Sequence, residues 1–177
     1  MLFWLFLCYS FLGYLLEKAF AVVTRAPQQG RKCFLLLPLC PVYGLGVLAV
    51  LALPTALRDS LPKVMLWGGL TATAVEYGVH WLYETVLGVK FWDYTGVLGN
   101  LRGRVCLPFS LAWGLLIGVA LAAVQPLLVQ GLPHIPEAVT LALLLVFTGD
   151  AICSMQLLRR HHDIALLRWR SFAAALS

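Results

Sequence analysis

Apolar residues fall in long unbroken blocks along this chain, with polar residues, proline and glycine gathered between them. Five blocks stand out, at about 2–23, 40–57, 64–87, 107–129 and 136–157. Each approaches the roughly 20 residues that a membrane-spanning helix needs. The pattern predicts an all-α fold: a polytopic transmembrane helix bundle of about five spans. The first block is read as a retained span. No Lys or Arg precedes it, and Glu17-Lys18 interrupts it where the apolar core of a signal peptide would end.

Composition agrees with this reading. Of 177 residues, 61% are hydrophobic and 12% charged, against roughly 45–50% and 25% in soluble domains. Length predicts one transmembrane domain, 1–158, followed by a basic cytoplasmic tail, 159–177, and leaves no room for a soluble catalytic module. There is no P-loop sequence, so ATP hydrolysis by that route is excluded. The net charge of +5 is not a nucleic-acid footprint, because no basic face interleaved with aromatics accompanies it. Five cysteines without a C-x-x-C pair point to small apolar filler rather than a disulfide framework or zinc site.

The charge is instead distributed by side. With five spans, the first and third loops and the C-terminal segment share one side and carry ten Lys and Arg, while the opposite side carries Arg58 and Lys63. This positive-inside asymmetry predicts a multi-pass protein of the inner or plasma membrane, N-terminus outside and C-terminus cytoplasmic. The Arg-rich tail with Trp169 and Phe172 suits an interfacial helix on anionic lipid.

Two stretches also resemble one another. Glu17, Gly30-Arg31-Lys32-Cys33, Pro38 and Tyr43-Gly44 are followed by Glu84, Gly103-Arg104-Val105-Cys106, Pro108 and Trp113-Gly114. A duplication of this kind predicts a parallel 2+2 repeat about an axis along the membrane normal, plus a fifth helix. Glu17 should then correspond to Glu84, and Arg31 to Arg104.

Candidate chemistry lies in the polar groups placed at bilayer depth. A carboxylate there costs roughly 2.5–3.5 kcal/mol before pairing, so it faces a cavity or a partner. Glu76, His80 and Glu84 sit one turn apart on one helix face. Glu17 and Asp150 lie in the cytoplasmic half with Glu84, and Arg31 and Arg104 stand at the cytoplasmic boundary. Glu17, Glu76, His80, Glu84, Asn100 and Arg104 are the candidates for binding substrate or protons. Arg31, Trp92, Asp93, Tyr94 and Asp150 form a second group, in part because Phe91-Trp92-Asp93-Tyr94 is a dense aromatic loop. No catalytic set, resident metal or cofactor is predicted. Gly114-x-x-x-Gly118 and Gly68-Gly69 are close-packing faces, either within the chain or between copies.

Several of these motifs occur in the same order in a known family. They are Phe11-x-Gly13-x-x-x-Glu17, the Gly30-Arg31 loop, Pro41-Val42-Tyr43-Gly44, Glu76-Tyr77 with Glu84, Trp92-Asp93-Tyr94, Asn100-x-x-Gly103-Arg104 and Trp113-Gly114. From about residue 3 to 120 the chain resembles the small multi-span bacterial membrane proteins labelled "putative ABC-transporter permease, type IV". Asp150 and the Arg-rich tail lie beyond that stretch. The resemblance implies a permease component working with a separate ATPase subunit.

Three functions follow as expectations. The first is a transport component with a cytoplasm-facing polar cavity lined by Glu and Arg. The second is a non-catalytic assembly or sensory membrane protein. The third is an intramembrane enzyme acting on lipid headgroups or peptides, with His80 as base and Ser110 or Cys106 as nucleophile. Expected partners are the lipid bilayer, a second copy of the chain and the separate ATPase, with no nucleic acid.

Overall fold

Proline and glycine set where the helices begin and end. A computed structural model describes residues 1–25 and 33–167. Among these residues the regular structure is helical. Helix α1 covers Leu2–Val23. Helix α2 covers Pro41–Leu51, with Pro41 in its first turn, where the missing N–H costs nothing. Helix α3 runs unbroken over 61–87, with π-helical turns at Val64–Gly68 and Tyr83–Leu87. It starts with Pro62 in its first turn and ends at Gly88, whose φ of +66° suits a residue without a Cβ. Helix α4 covers Leu107–His134 and helix α5 covers Glu137–His161. Arg159, Arg160 and His161 sit in the last turn of α5, where cations complement the helix dipole.

Among the described residues three helices, α1, α4 and α5, are long and apolar enough to cross a membrane. The protein is therefore a multi-pass membrane protein with an all-α fold. Helix α3 is longer than α1 but carries Glu76, His80 and Glu84. Helix α2 is much shorter than the 40–57 block predicts. Its 11 residues rise about 16 Å, roughly half the ~30 Å hydrocarbon core. Pro54 accounts for its early end, because the residue before a proline is pushed out of the helical region.

Residue contacts give the helix directions. Tyr43 lies against Gly13 and Gly44 against Phe6 and Ser10, so α1 and α2 are antiparallel. Gly68 meets Ile117, Gly69 meets Gly114, and Gly118 meets Met65, so α3 and α4 are antiparallel. Trp4 bonds Thr140, and Phe6 packs on Phe147, so α5 runs parallel to α1. Thus α1, α3 and α5 run one way and α2 and α4 the other. The small-residue faces at Gly68-Gly69 and Gly114-Gly118 pack within the chain. All five cysteines are free.

The apolar stretch Cys33–Cys40 lies in the core without forming a helix; Cys33, Leu35, Leu36, Leu39 and Cys40 are buried. A buried irregular backbone needs partners from elsewhere. Asp150, midway along α5, supplies them: Oδ1 accepts the Leu36 N–H at 3.0 Å and Oδ2 the Leu37 N–H at 2.9 Å. The Cys40 N–H donates to the Ser10 carbonyl at 2.8 Å. The chain thus returns into the bundle before α2 starts.

Candidate functional site

The central feature is a cavity of about 260 Å³ among α1, α2, α4 and the loop before α4, reaching Glu76 of α3. Glycine positions its wall. A methyl group on Gly13 would strike the Tyr43 ring, so only glycine lets that ring lie flat on α1. From there the Tyr43 hydroxyl donates to Glu17 Oε1 at 2.9 Å. The Tyr43 ring packs on Trp113 with centroids 4.9 Å apart. The Trp113 indole N–H donates to Glu76 Oε2 at 2.9 Å, and the Tyr94 hydroxyl donates to Glu76 Oε1 at 3.0 Å. Tyr94 in turn stacks on Phe109. Glu76 is 5% exposed, and these neutral donors satisfy part of its hydrogen-bonding capacity.

Glu84 belongs to a second group nearer the α3 C-terminus. Its Oε2 accepts from Arg104 Nη2 at 2.8 Å and Nε at 3.2 Å, and Lys90 Nζ lies 3.4 Å from Oε1. Arg104 Nη1 also donates to the Tyr77 hydroxyl at 2.8 Å. This is the expected meeting of a span carboxylate with a rim arginine. His80, 2% exposed, sits beside it. The Trp92 carbonyl can only accept, so His80 donates through Nε2 at 2.9 Å. Among the described residues its Nδ1 is buried without a hydrogen-bond partner, 3.9 Å from Glu84 Oε2.

The loop presenting Arg104 is built by local chemistry. Leu101 and Val105 form one antiparallel bridge. Between them Arg102 and Gly103 have φ of 55° and 68°, the signature of a tight type I′ turn. Asn100 Oδ1 accepts the Gly103 N–H at 3.3 Å, and the Tyr94 N–H donates to the Gly103 carbonyl at 2.8 Å. Asp93 caps its own turn through the Thr95 hydroxyl and amide, which hold its carboxyl below the usual range. The Trp92 indole donates to the Arg104 carbonyl, fixing the arginine backbone.

The predicted residues therefore separate. Glu17, Glu76, Trp92 and Tyr94 line the cavity. Glu84, His80 and Arg104 form the rim cluster. Asn100 and Asp93 are exposed turn residues. Asp150 holds the Cys33–Cys40 backbone, and Arg31 lies outside the described residues. Among the described residues the lining of this cavity holds Glu17 and Glu76 but is otherwise mainly apolar and aromatic, and Arg104 is not part of it. His80, among the described residues, bonds the Trp92 carbonyl rather than Ser110 or Cys106, and the Ser110 hydroxyl donates to the Cys106 carbonyl. Sequence reasoning missed Tyr43, Phe109 and Trp113 as site residues. The repeated aromatic-glycine pairs, Tyr43-Gly44 and Trp113-Gly114, were the available signal.

Fold and cavity together define a polytopic helical membrane protein with carboxylates inside its bundle. Residues 4–155 match the family described as "Putative ABC-transporter type IV", and the chain belongs to that family. The match extends through Asp150, further than the 3–120 stretch on which the sequence motifs were recognised. No curated protein and no solved structure matches the chain.

Proposed function

We propose that this chain is the membrane-embedded component of a transporter and that its substrate occupies the cavity bounded by Glu17, Tyr43, Glu76, Tyr94 and Trp113. One observation carries the reading. The cavity sits where α2 begins inside the bundle, and carboxylates from α1 and α3 border it. Discontinuous helices near mid-membrane are where transporters place their sites. Helix α2, preceded by the Cys33–Cys40 stretch, serves as the second of five crossings. The alternating helix directions suit an N-outside, C-cytoplasmic chain, with the segment beyond α5 as a basic cytoplasmic tail.

The bonding also supports a 2+2 repeat, with a changed correspondence. Tyr43 bonds Glu17, whereas Trp113 bonds Glu76, so Glu76 rather than Glu84 is the counterpart of Glu17. Ser10 faces Gly44 as Gly69 faces Gly114, and both intervals, Ser10 to Glu17 and Gly69 to Glu76, are two helical turns. In this reading Glu84 and Arg104 secure the loop before α4, and Glu17 and Glu76 face the substrate.

The energy source is a separate ATPase. Tagged protein extracted in mild detergent copurifies with a P-loop ATPase, and the pair reconstituted in liposomes hydrolyses ATP faster than the ATPase alone. Neither copurification nor stimulation in an active membrane extract would overturn the ABC-type reading.

A further inference from the structure

We infer that the cavity binds an organic cation with an apolar body, a lipophilic ammonium compound in chemical class. The inference rests on the reading of this cavity as the substrate site. Three features of its wall carry it.

The first is the state of the hydrogen-bond donors. The side-chain donors on the described lining are the hydroxyls of Tyr43 and Tyr94 and the indoles of Trp92 and Trp113, together with the Cys40 thiol, a weak donor. Tyr43 is engaged with Glu17, Tyr94 and Trp113 with Glu76, and Trp92 with the Arg104 carbonyl. An anionic ligand needs strong donors, and the side-chain donors on this wall already point at protein acceptors. A cation needs acceptors and aromatic faces.

The second is charge. Among the described residues Glu17 receives one hydrogen bond, from Tyr43, while a carboxylate offers about four acceptor positions. The N-terminus of α2 faces the same space and contributes about half a positive charge, which a single carboxylate outweighs. Tyr43, Phe109 and Trp113 line the space, and aromatic side chains attract ammonium groups.

The third is access. Leu16, Phe20 and Leu115 line the mouth between α1 and α4 and are exposed. On a membrane protein that surface meets acyl chains, so the ligand enters from the bilayer with an apolar body. Helix α1 brackets the cavity with Leu16 and Phe20 on either side of Glu17, placing the charge just inside the mouth.

The test uses the full chain in a maltoside detergent, with benzyltriethylammonium and the similarly sized anion 4-tert-butylbenzenesulfonate as probes in calorimetric titration. The cation binds and the sulfonate does not. Glu17→Gln weakens cation binding at least about tenfold, Glu17→Asp restores much of it, and Asp59→Asn, at the opposite end of the bundle, leaves it unchanged. Ala112→Trp, on the cavity lining, fills the space and abolishes it. Competition by dihexanoylphosphatidylethanolamine identifies a lipid headgroup as the source of the ammonium, and competition by free amines alone identifies a membrane-dissolved amine; both support the class. Equal binding of the two probes, lost in Ala112→Trp, would overturn the cation inference and leave the cavity reading standing. Cation binding that survives Ala112→Trp would place the ligand elsewhere and overturn the cavity reading as well. Should Glu17→Gln fail to accumulate, the charge preference of the parent protein still decides.

Discussion

The contact between α3 and α4 gives the sharpest quantitative prediction. A Cβ on Gly69 would lie 2.9 Å from the Gly114 Cα and 3.0 Å from its N. Both are backbone atoms of a packed helix, so no side chain can swing aside. Ordinary carbon contacts lie at about 3.5–4.0 Å, so Gly69→Ala must push the helices apart by a sizeable fraction of an ångström. Such overpacking costs about 1–3 kcal/mol, against a gain of up to about 1 kcal/mol from replacing a helical glycine by alanine. Gly78 lies on the same helix with nothing within 4 Å of its Cβ position, so Gly78→Ala isolates the propensity gain. At roughly 2–4 °C per kcal/mol for a chain of this size, the net cost lowers the thermal midpoint of Gly69→Ala by up to about 8 °C, and Gly78→Ala raises it by up to about 4 °C. Tryptophan fluorescence on heating in detergent reads both shifts. The double variant falls at the sum, since the two sites share no partner. If Gly69→Ala instead stabilises the protein as Gly78→Ala does, the helices are not in backbone contact at Gly114. A change in oligomeric state for Gly69→Ala would place that glycine face between copies.

Other consequences follow from single contacts. In Glu76→Gln the amide oxygen keeps the Trp113 indole N–H while the NH₂ turns to the Tyr94 hydroxyl, which can accept; Trp113→Phe in that background then leaves the amide oxygen without its donor and lowers stability further, by about 1–3 kcal/mol, in the same melting assay. Gly103→Ala combines a φ of 68° with a Cβ 2.6 Å from Asp93 Oδ1, so it destabilises by at least about 1–2 kcal/mol; proteolysis in the 88–106 loop should quicken, and an unchanged rate would refute the turn assignment. Asp150→Ala removes the acceptor for two buried amides and costs about 1–3 kcal/mol per uncompensated group; amide exchange at Leu36 and Leu37 should accelerate while α4 stays protected. Cysteines introduced at Ser60 and Asp163 label from opposite faces of sealed vesicles, and labelling from one face would end the five-crossing topology.

Much of this was determined by the sequence alone. Hydropathy sets the membrane class, because apolar blocks of spanning length have no comparable fate in water. The ten-to-two distribution of Lys and Arg predicts an N-outside, C-cytoplasmic chain, because each added crossing reverses the side on which the next loop falls. The Gly103 turn is local chemistry and could be foreseen near Asn100. Tertiary structure decided the rest. Glu76 and Glu84 share a helix face two turns apart, yet one meets Tyr94 and Trp113 and the other Arg104. Those partners come from the loop after α3 and from α4, and no spacing rule within one helix can assign them. Helix α2 was read as a full span because apolarity alone cannot separate a helix from a buried irregular strand of chain. What makes the Cys33–Cys40 backbone tolerable is Asp150, more than a hundred residues away, supplying acceptors inside the bundle. The cavity is likewise a product of packing: Tyr43 and Trp113 meet across two helix pairs only after glycines at the α1–α2 and α3–α4 crossings allow close approach, and that meeting brings Glu17 and Glu76 to one cavity.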